Sequence, residues 1–216
     1  MDHIINALAL FAGVGGIEQA LRRAGVRTVC YVERDPYSAA VIMSRIRGGD
    51  LDPGPIWDDA RTFDARPWRG VVDLVVGGFP CQPASCAGRR EGMADDRWLW
   101  PEFMRIAREV GAGWILGENV PGLRSVDSGR AFGTVLRDLA DAGYSVEWDS
   151  ISAADVGAPH RRERVFILAR KQDMADTQGL AERTGLCEGQ PPRERGGRSG
   201  DGCGQGSGTL SRVWPY

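Results

Sequence analysis

The sequence predicts an α/β fold in which a doubly wound, mostly parallel sheet ends in an antiparallel pair of strands. Apolar, strand-like runs alternate with helical segments over Ile4–Ala169, and this alternation is typical of a parallel sheet covered by helices. The run Ile4–Phe11 leads through a glycine-rich turn into a helical segment, Ile17–Ala24, and then into a second strand, Thr28–Val32. A β-loop-α-β unit therefore opens the chain.

The remaining elements follow in order along the chain. Asp35 and Pro36 are typical of a helix start, because aspartate caps a helix and proline suits its first turn. Further strands are predicted at Ile56–Asp59, Val71–Val76, Trp114–Leu116, Tyr144–Ser152 and Arg164–Ala169, and further helices at Tyr37–Ile46, Trp98–Val110 and Phe132–Ala142. The last two strands are joined by a compact basic loop, which favours the closing pair.

Composition narrows the class of protein. The chain has 216 residues, a net charge of -2 and 5 cysteines, and the irregular cysteine spacing does not indicate a disulfide framework. No apolar run is long enough to span a bilayer, so we expect a cytoplasmic protein without a membrane partner. We expect residues 1–172 to form one catalytic core, and the Gly- and Arg-rich residues 173–216 to form a flexible tail.

A cysteine and a glutamate lie just after two predicted strands. The run Val71–Val76 stops at two glycines, and the chain then presents Cys81 on a loop, a position suited to a nucleophile. Glu118 follows the fifth strand. Because the carboxyl ends of parallel strands meet at one edge of an open sheet, we expect both groups to face one ligand crevice.

The first turn predicts a cofactor at the same edge. It contains Gly13, Gly15 and Gly16, and glycines allow a ligand to approach the backbone closely. Glu33 closes the second strand, where a carboxylate accepts hydrogen bonds from ribose hydroxyls. Glu18 stands where a dinucleotide-binding GxGxxG motif has its third glycine. The pattern therefore disfavours a nicotinamide-dependent oxidoreductase.

Six motifs of the chain resemble those of the DNA (cytosine-5) methyltransferases, which use S-adenosylmethionine, and they occur in the same order along the chain as in that family. The pairing of PCQ with ENV is the most specific feature of the resemblance. The matching segments are FAGVGG (Phe11–Gly16), Glu33, IWDD (Ile56–Asp59), PCQxxSxxG (Pro80–Gly88), ENV (Glu118–Val120) and RRxR (Arg161–Arg164). The resemblance implies a Rossmann-like class I methyltransferase core.

The resemblance also implies a role for each matching residue. The cofactor would be held by Phe11 near the adenine, Gly13, Gly15 and Gly16 beside the methionine part, Glu33 on the ribose, Asp59 on the adenine amine, and Pro80. The catalytic residues would be Cys81 as nucleophile, Glu118 on the cytosine ring, and Arg162 and Arg164, which position the flipped nucleotide. Substrate contacts would come from Gln82, Ser85, Asn119 and Arg161, with Asn119 also ordering the loop. No metal is implied.

Several departures from the family pattern leave alternatives open. His160 replaces a usual glutamine and Ala84 a common phenylalanine, and no target-recognition domain or final GN-containing helix follows. Double-stranded DNA is the expected partner, together with a second polypeptide that carries the recognition domain if the enzyme is split. The alternatives are a non-catalytic cofactor-binding fragment and an RNA cytosine methyltransferase. A zinc deaminase is disfavoured because the HxE and PCxxC motifs are missing.

Overall fold

The computed structural model describes residues 4–80 and 98–172. Its strands are β1 (Asn6–Leu10), β2 (Arg27–Val32), β3 (Ile56–Trp57), β4 (Leu74–Gly77), β5 (Trp114–Asn119), β6 (Tyr144–Ser152) and β7 (Glu163–Lys171). Its helices are α1 (Gly16–Arg23), α2 (Pro36–Arg47), α3 (Trp100–Val110) and α4 (Arg130–Asp141). The predicted tail lies outside the described residues, so the division at residue 172 stays a prediction.

The seven strands form one sheet in the order β3-β2-β1-β4-β5-β7-β6. Each neighbouring pair from β3 to β5 is parallel, whereas β7 runs antiparallel to both β5 and β6. The predicted mostly parallel sheet with a final antiparallel pair is thus confirmed. The order moves outward from β1 in both directions, so the loops after β1 and β4 leave the sheet side by side.

Helices pack on both faces of the sheet. On one face, Ile42 of α2 is fully buried against Ala9 and Tyr31, and Leu21 of α1 packs against the same cluster. On the opposite face, Phe103 of α3 and Leu139 of α4 are fully buried in a larger cluster. The sheet is therefore doubly wound, because parallel strands with apolar side chains on both faces require helices on both.

All the strands except β6 differ from the predicted ranges by one to three residues at one end or both, and β3 ends at Trp57 instead of Asp59. The fourth strand begins at Leu74 instead of Val71, whose side chain is exposed. The fifth strand continues past Leu116 through Glu118 and Asn119, which pair with β7. The polar residues at the end of β5 hid this extension in the sequence, although antiparallel pairing with β7 supplies backbone partners for them. Within the described residues, no helix is long and apolar enough to cross a membrane.

A substitution at Gly77 tests how closely β4 approaches β1. A Cβ atom at Gly77 would overlap the main-chain carbonyl of Leu10, so we expect Gly77→Ala to lower the free energy of unfolding by about 1–3 kcal/mol through overpacking. Gly133 on α4 is exposed, and a Cβ there meets no atom within 4 Å. We expect Gly133→Ala to raise stability by about 0.5–1 kcal/mol, since alanine is the better helix former. Urea unfolding of both variants checks this contrast, and equal effects would contradict the packing.

Candidate active site

A cavity of about 410 Å³ opens at the carboxyl ends of the parallel strands. Among its lining residues are Phe11, Glu33, Asp59 and Pro80, which the sequence assigns to the cofactor. Val32, Arg34, Asp58, Ala60, Arg61, Gly78 and Leu99 complete the described lining. An aromatic ring, an acid after β2 and an acid after β3 thus surround one space, an arrangement that can hold an adenosine.

Glu33 is the polar centre of this cavity. Its Oε2 accepts a hydrogen bond from the main-chain N–H of Gly13 at 2.7 Å, and its Oε1 accepts one from Asp35 at 2.7 Å. Its own N–H donates to the Trp57 carbonyl at 2.9 Å. Each carboxylate oxygen can accept more than one hydrogen bond, so both retain capacity for hydroxyl groups of a ligand.

The turn after β1 has the backbone of a ligand-binding loop. Gly13 has φ 55°, and a Cβ there would meet no protein atom within 4 Å. Gly15 also has a positive φ, and its missing side chain leaves room for Leu51. Phe11 has φ 52°, a left-handed conformation that costs a non-glycine residue about 1–3 kcal/mol and that clusters at functional sites. Gly13, Gly15 and Gly16 were all predicted for the cofactor, but none of the three is among the residues that line the cavity.

Phe79 anchors the chain at the entrance to the predicted nucleophile loop. Its ring is 2% exposed and lies 4.9 Å from the Trp100 ring and 6.0 Å from the Phe103 ring, measured between centroids. The side-chain amide of Asn119 donates to the Phe79 carbonyl at 2.8 Å, while the Val120 N–H donates to the Asn119 amide oxygen at 2.9 Å. Both ends of the Asn119 amide are therefore engaged within the protein.

Glu118 and Arg164 meet beside this anchor. The Arg164 Nε lies 2.7 Å from the Glu118 Oε1, and both side chains are about one-fifth exposed. A Cβ atom at Gly78 would lie 2.8 Å from the Glu118 Oε2, so the carboxylate lies directly over the glycine that lines the cavity. The Glu118 carboxylate thus lies beside the cavity, and its predicted role stays a prediction.

Other predicted site residues lie apart from this cluster or outside the described residues. Arg161 and Arg162 are exposed on the loop before β7, where the Arg162 carbonyl accepts a hydrogen bond from Ala153 at 2.9 Å. Cys81, Gln82 and Ser85 lie outside the described residues, so their roles stay predictions. Pro80 and Leu99, which flank that segment, both line the cavity.

Sequence reasoning missed two arginines of the cavity and the burial of one acid. Arg34 and Arg61 line the cavity. The sequence signal for them is that Arg34 directly follows Glu33 and that Arg61 stands two residues after the IWDD motif. Glu18 is 1% exposed, although the sequence pattern marks it only as the replacement of a glycine. Its position next to Ile17 and three residues before Leu21, on the apolar side of the helix, indicates that burial.

The Glu18 carboxyl has an unusual environment. Neither of its oxygens has a hydrogen-bond partner within the described part of the chain. Burial raises its pKa from 4.5 to about 7 against a smaller lowering effect of its own main-chain N–H, and the negative charge of Glu33 adds a further, smaller rise. Among the described residues, no group of three or more His, Cys, Asp and Glu side chains could hold a metal ion.

Comparison with known proteins gives the family. The model of the C-5 cytosine-specific DNA methylase family matches residues 5–186. The chain belongs to this family. It is 35% identical over 177 residues to the Type II methyltransferase M.Eco47II of Escherichia coli, and the match covers 81% of this chain and 42% of that protein. The chain therefore spans less than half the length of this relative.

The chain is also similar, over a stretch of nearly the same length, to M.AquIA of Picosynechococcus, a Type II methyltransferase. It is 33% identical over 176 residues, which make up 76% of this chain and 71% of that protein. A solved structure described as a putative DNA modification methyltransferase encoded within an E. coli prophage is 26% identical, with a TM-score of 0.62. The alignment covers 80% of this chain and 49% of that one. These likenesses agree with the Rossmann-like methyltransferase fold.

Glu18 gives a pH-dependent prediction for stability. Because its pKa is about 7 in the folded protein, against an ordinary value of 4.5, the folded protein holds a proton that the unfolded chain loses between these values. Stability therefore falls as the pH rises through this window, and the loss is complete above it. We expect Glu18→Gln to remove a penalty of up to about 3 kcal/mol at alkaline pH.

Chemical unfolding of the wild type and Glu18→Gln at about pH 5 and about pH 8 measures this difference. Glu147→Gln, which alters an exposed acid of β6, is the matched control and should follow the wild type. A stability gain for Glu18→Gln that is the same at both pH values would contradict the buried, protonated carboxyl.

Proposed function

We propose that the protein transfers a methyl group from S-adenosylmethionine to carbon 5 of cytosine in DNA. The observation that carries this proposal is the adjacency of the Glu33 cavity to the Glu118–Arg164 pair across Gly78. A methyl donor held in the Glu33 cavity and a cytosine held by the Glu118–Arg164 pair would meet at the carboxyl end of β4. Family membership supports the same reaction.

The cofactor assignments follow from the lining of the cavity. We assign the ribose hydroxyls to the free acceptor capacity of Glu33, the adenine amine to Asp59 and the adenine ring to Phe11. Gly13 leaves open space above the turn, which suits the methionine part. Because Gly15 has no side chain, Leu51 can pack directly against the turn. The pocket would thus orient the donor methyl group toward Pro80 and the nucleophile loop.

The reaction requires a nucleophile, because carbon 5 of cytosine is too weakly nucleophilic to accept a methyl group unaided. The Cys81 thiolate would add to carbon 6, and the ring electrons would then take the methyl group at carbon 5 and release the neutral thioether. Loss of the carbon 5 proton to a base would expel the Cys81 thiolate and restore the aromatic ring. Glu118, held by Arg164, would hydrogen-bond the cytosine and, by donating a proton to the ring, offset the negative charge that thiolate addition places there.

In this proposal, Asn119 contributes to the reaction by positioning the loop that carries Cys81. Its amide already binds the Phe79 carbonyl and the Val120 N–H, so it would position the chain that leads to Cys81 instead of contacting the base. The exposed Arg161 and Arg162 are suited to phosphate contacts, because exposed arginines neutralise backbone charge. The cytosine must leave the duplex, at a cost of a few kcal/mol.

Double-stranded DNA is the proposed substrate, and a second polypeptide with the recognition domain is a proposed partner. The chain matches 71% of M.AquIA but only 42% of M.Eco47II over almost equal stretches, so M.AquIA is much the shorter protein. The existence of a short relative is the reason for retaining a split enzyme as a candidate. The cytoplasmic location stays a prediction.

The proposed mechanism predicts a trapped adduct at Cys81. DNA that contains 5-fluorocytosine cannot lose a proton from carbon 5, so the enzyme should remain bound to it covalently after methyl transfer. We expect wild-type chain, S-adenosylmethionine and this duplex to give a species that survives denaturing electrophoresis. Cys81→Ser should abolish both the adduct and label transfer to normal DNA, while leaving cofactor binding unchanged.

The matched control is Cys30→Ser, which alters a buried cysteine of β2; where it folds, it should retain the adduct. Label transfer by Cys81→Ser would refute the covalent mechanism. Competition by duplex DNA and by RNA during the reaction identifies the substrate, and adduct formation that only RNA suppresses would contradict the DNA assignment.

A further inference from the structure

Glu18 is a buried carboxyl group that the proposed reaction does not use. It is the third residue of α1, a helix that begins directly after the glycine turn of the cavity. Its side chain is 1% exposed, and neither oxygen has a partner among the residues described. A carboxylate in such a place loses its hydration without compensation. It therefore favours the protonated form near neutral pH.

Two titratable groups, one in β2 and one directly after it, connect Glu18 to the cavity electrostatically. Glu33 and Tyr31 both interact electrostatically with Glu18. The Tyr31 hydroxyl donates to the main-chain carbonyl of Asp52 at 2.8 Å, so it does not serve the Glu18 carboxyl. Glu33 is the cavity residue that holds the Gly13 N–H at 2.7 Å. Glu18 is thus buried in the first turn of α1 and within electrostatic reach of Glu33, the central acid of the cavity.

Two basic side chains of the adjoining helices have other partners. Arg22 of α1 lies 3.3 Å from the carboxylate of Asp52, and Arg45 of α2 donates to the Val14 carbonyl at 2.8 Å. Within residues 4–80 and 98–172, no salt bridge to Glu18 is formed. A cationic ligand in the cavity is therefore a charge that would favour the Glu18 carboxylate.

We propose that Glu18 is a proton-linked positioning residue of the cofactor site, which releases its proton when a cationic cofactor binds beside Glu33. This inference rests on the proposed function, because S-adenosylmethionine carries a net positive charge whereas its product, S-adenosylhomocysteine, is neutral overall. The proton passes from the Glu18 carboxyl to solvent. The carboxylate that remains attracts the sulfonium form more than the thioether. Preference for the methyl donor over the product therefore increases as the pH rises.

Calorimetric titration at about pH 7 in buffers of different ionisation enthalpy measures the protons released per cofactor bound. Because the pKa of Glu18 is about 7, the wild type should release up to about half a proton with S-adenosylmethionine, and clearly less with S-adenosylhomocysteine. Glu18→Gln should not show this release. Any protons that are released when the variant binds come from titration of the ligands themselves, and that number is subtracted from the wild-type number. Glu147→Gln, on the exposed edge strand, should release protons as the wild type does.

A second measurement compares the two dissociation constants between about pH 6 and about pH 7.5. The ratio of the Kd of the product to the Kd of the methyl donor should rise about threefold or more in the wild type and stay constant in Glu18→Gln. Equal proton release by Glu18→Gln and the wild type would overturn the inference. Binding by the wild type without proton release would overturn it and leave the proposed function standing. No binding of either ligand would contradict the proposed function itself.

The wild-type measurements decide the inference even if Glu18→Gln does not fold. In that case the difference in proton release between the two ligands is the readout. A difference in favour of the methyl donor supports the inference, and no difference overturns it.

Discussion

Glu33 connects the first three strands of the sheet through its carboxylate and its backbone, and the geometry of the candidate site depends on that connection. It accepts hydrogen bonds from Gly13 after β1 and from Asp35 at the start of α2, while its backbone donates to Trp57 of β3. Hydrogen bonds to a charged group contribute about 1.5–3 kcal/mol each. One side chain thereby fixes both the glycine turn and the acceptor that we assign to the ribose.

A second connection, made by β4, links the glycine turn to the residues that we assign to the reaction. β4 pairs with both β1 and β5, so Phe79 and Asn119 leave neighbouring strands and bond to each other. Burial of the Phe79 ring against α3 prevents the loop entrance from shifting. β4 is therefore shared by the two parts of the candidate site: the Glu33 cavity lies toward β1 and the Glu118–Arg164 pair toward β5, with Gly78 between them. We infer that this shared strand lets a donor and a cytosine be positioned independently and still meet.

The sequence predicts the architecture well because apolar runs, glycine turns and capping residues act locally. Asp35 caps α2 as predicted, with its carboxylate accepting from the Ser38 N–H at 2.8 Å. The extension of β5 through Asn119 was missed because its partner, β7, is more than forty residues away in the chain. Glu18 was missed for a related reason, since burial without a partner is a tertiary property. The pairing of Arg164 with Glu118 was likewise visible only once β5 and β7 were adjacent.

The most direct test of the account is a titration of S-adenosylmethionine into the wild type, Glu33→Gln and Asp64→Asn. Asp64 is an acid outside the cavity that pairs with Arg66, so its variant controls for the loss of a charge. The account predicts that the wild type and Asp64→Asn bind alike and that Glu33→Gln binds about tenfold more weakly or worse. Thermal unfolding establishes that each variant is folded. Equal affinity of folded Glu33→Gln and the wild type would contradict the assignment of this cavity to the cofactor.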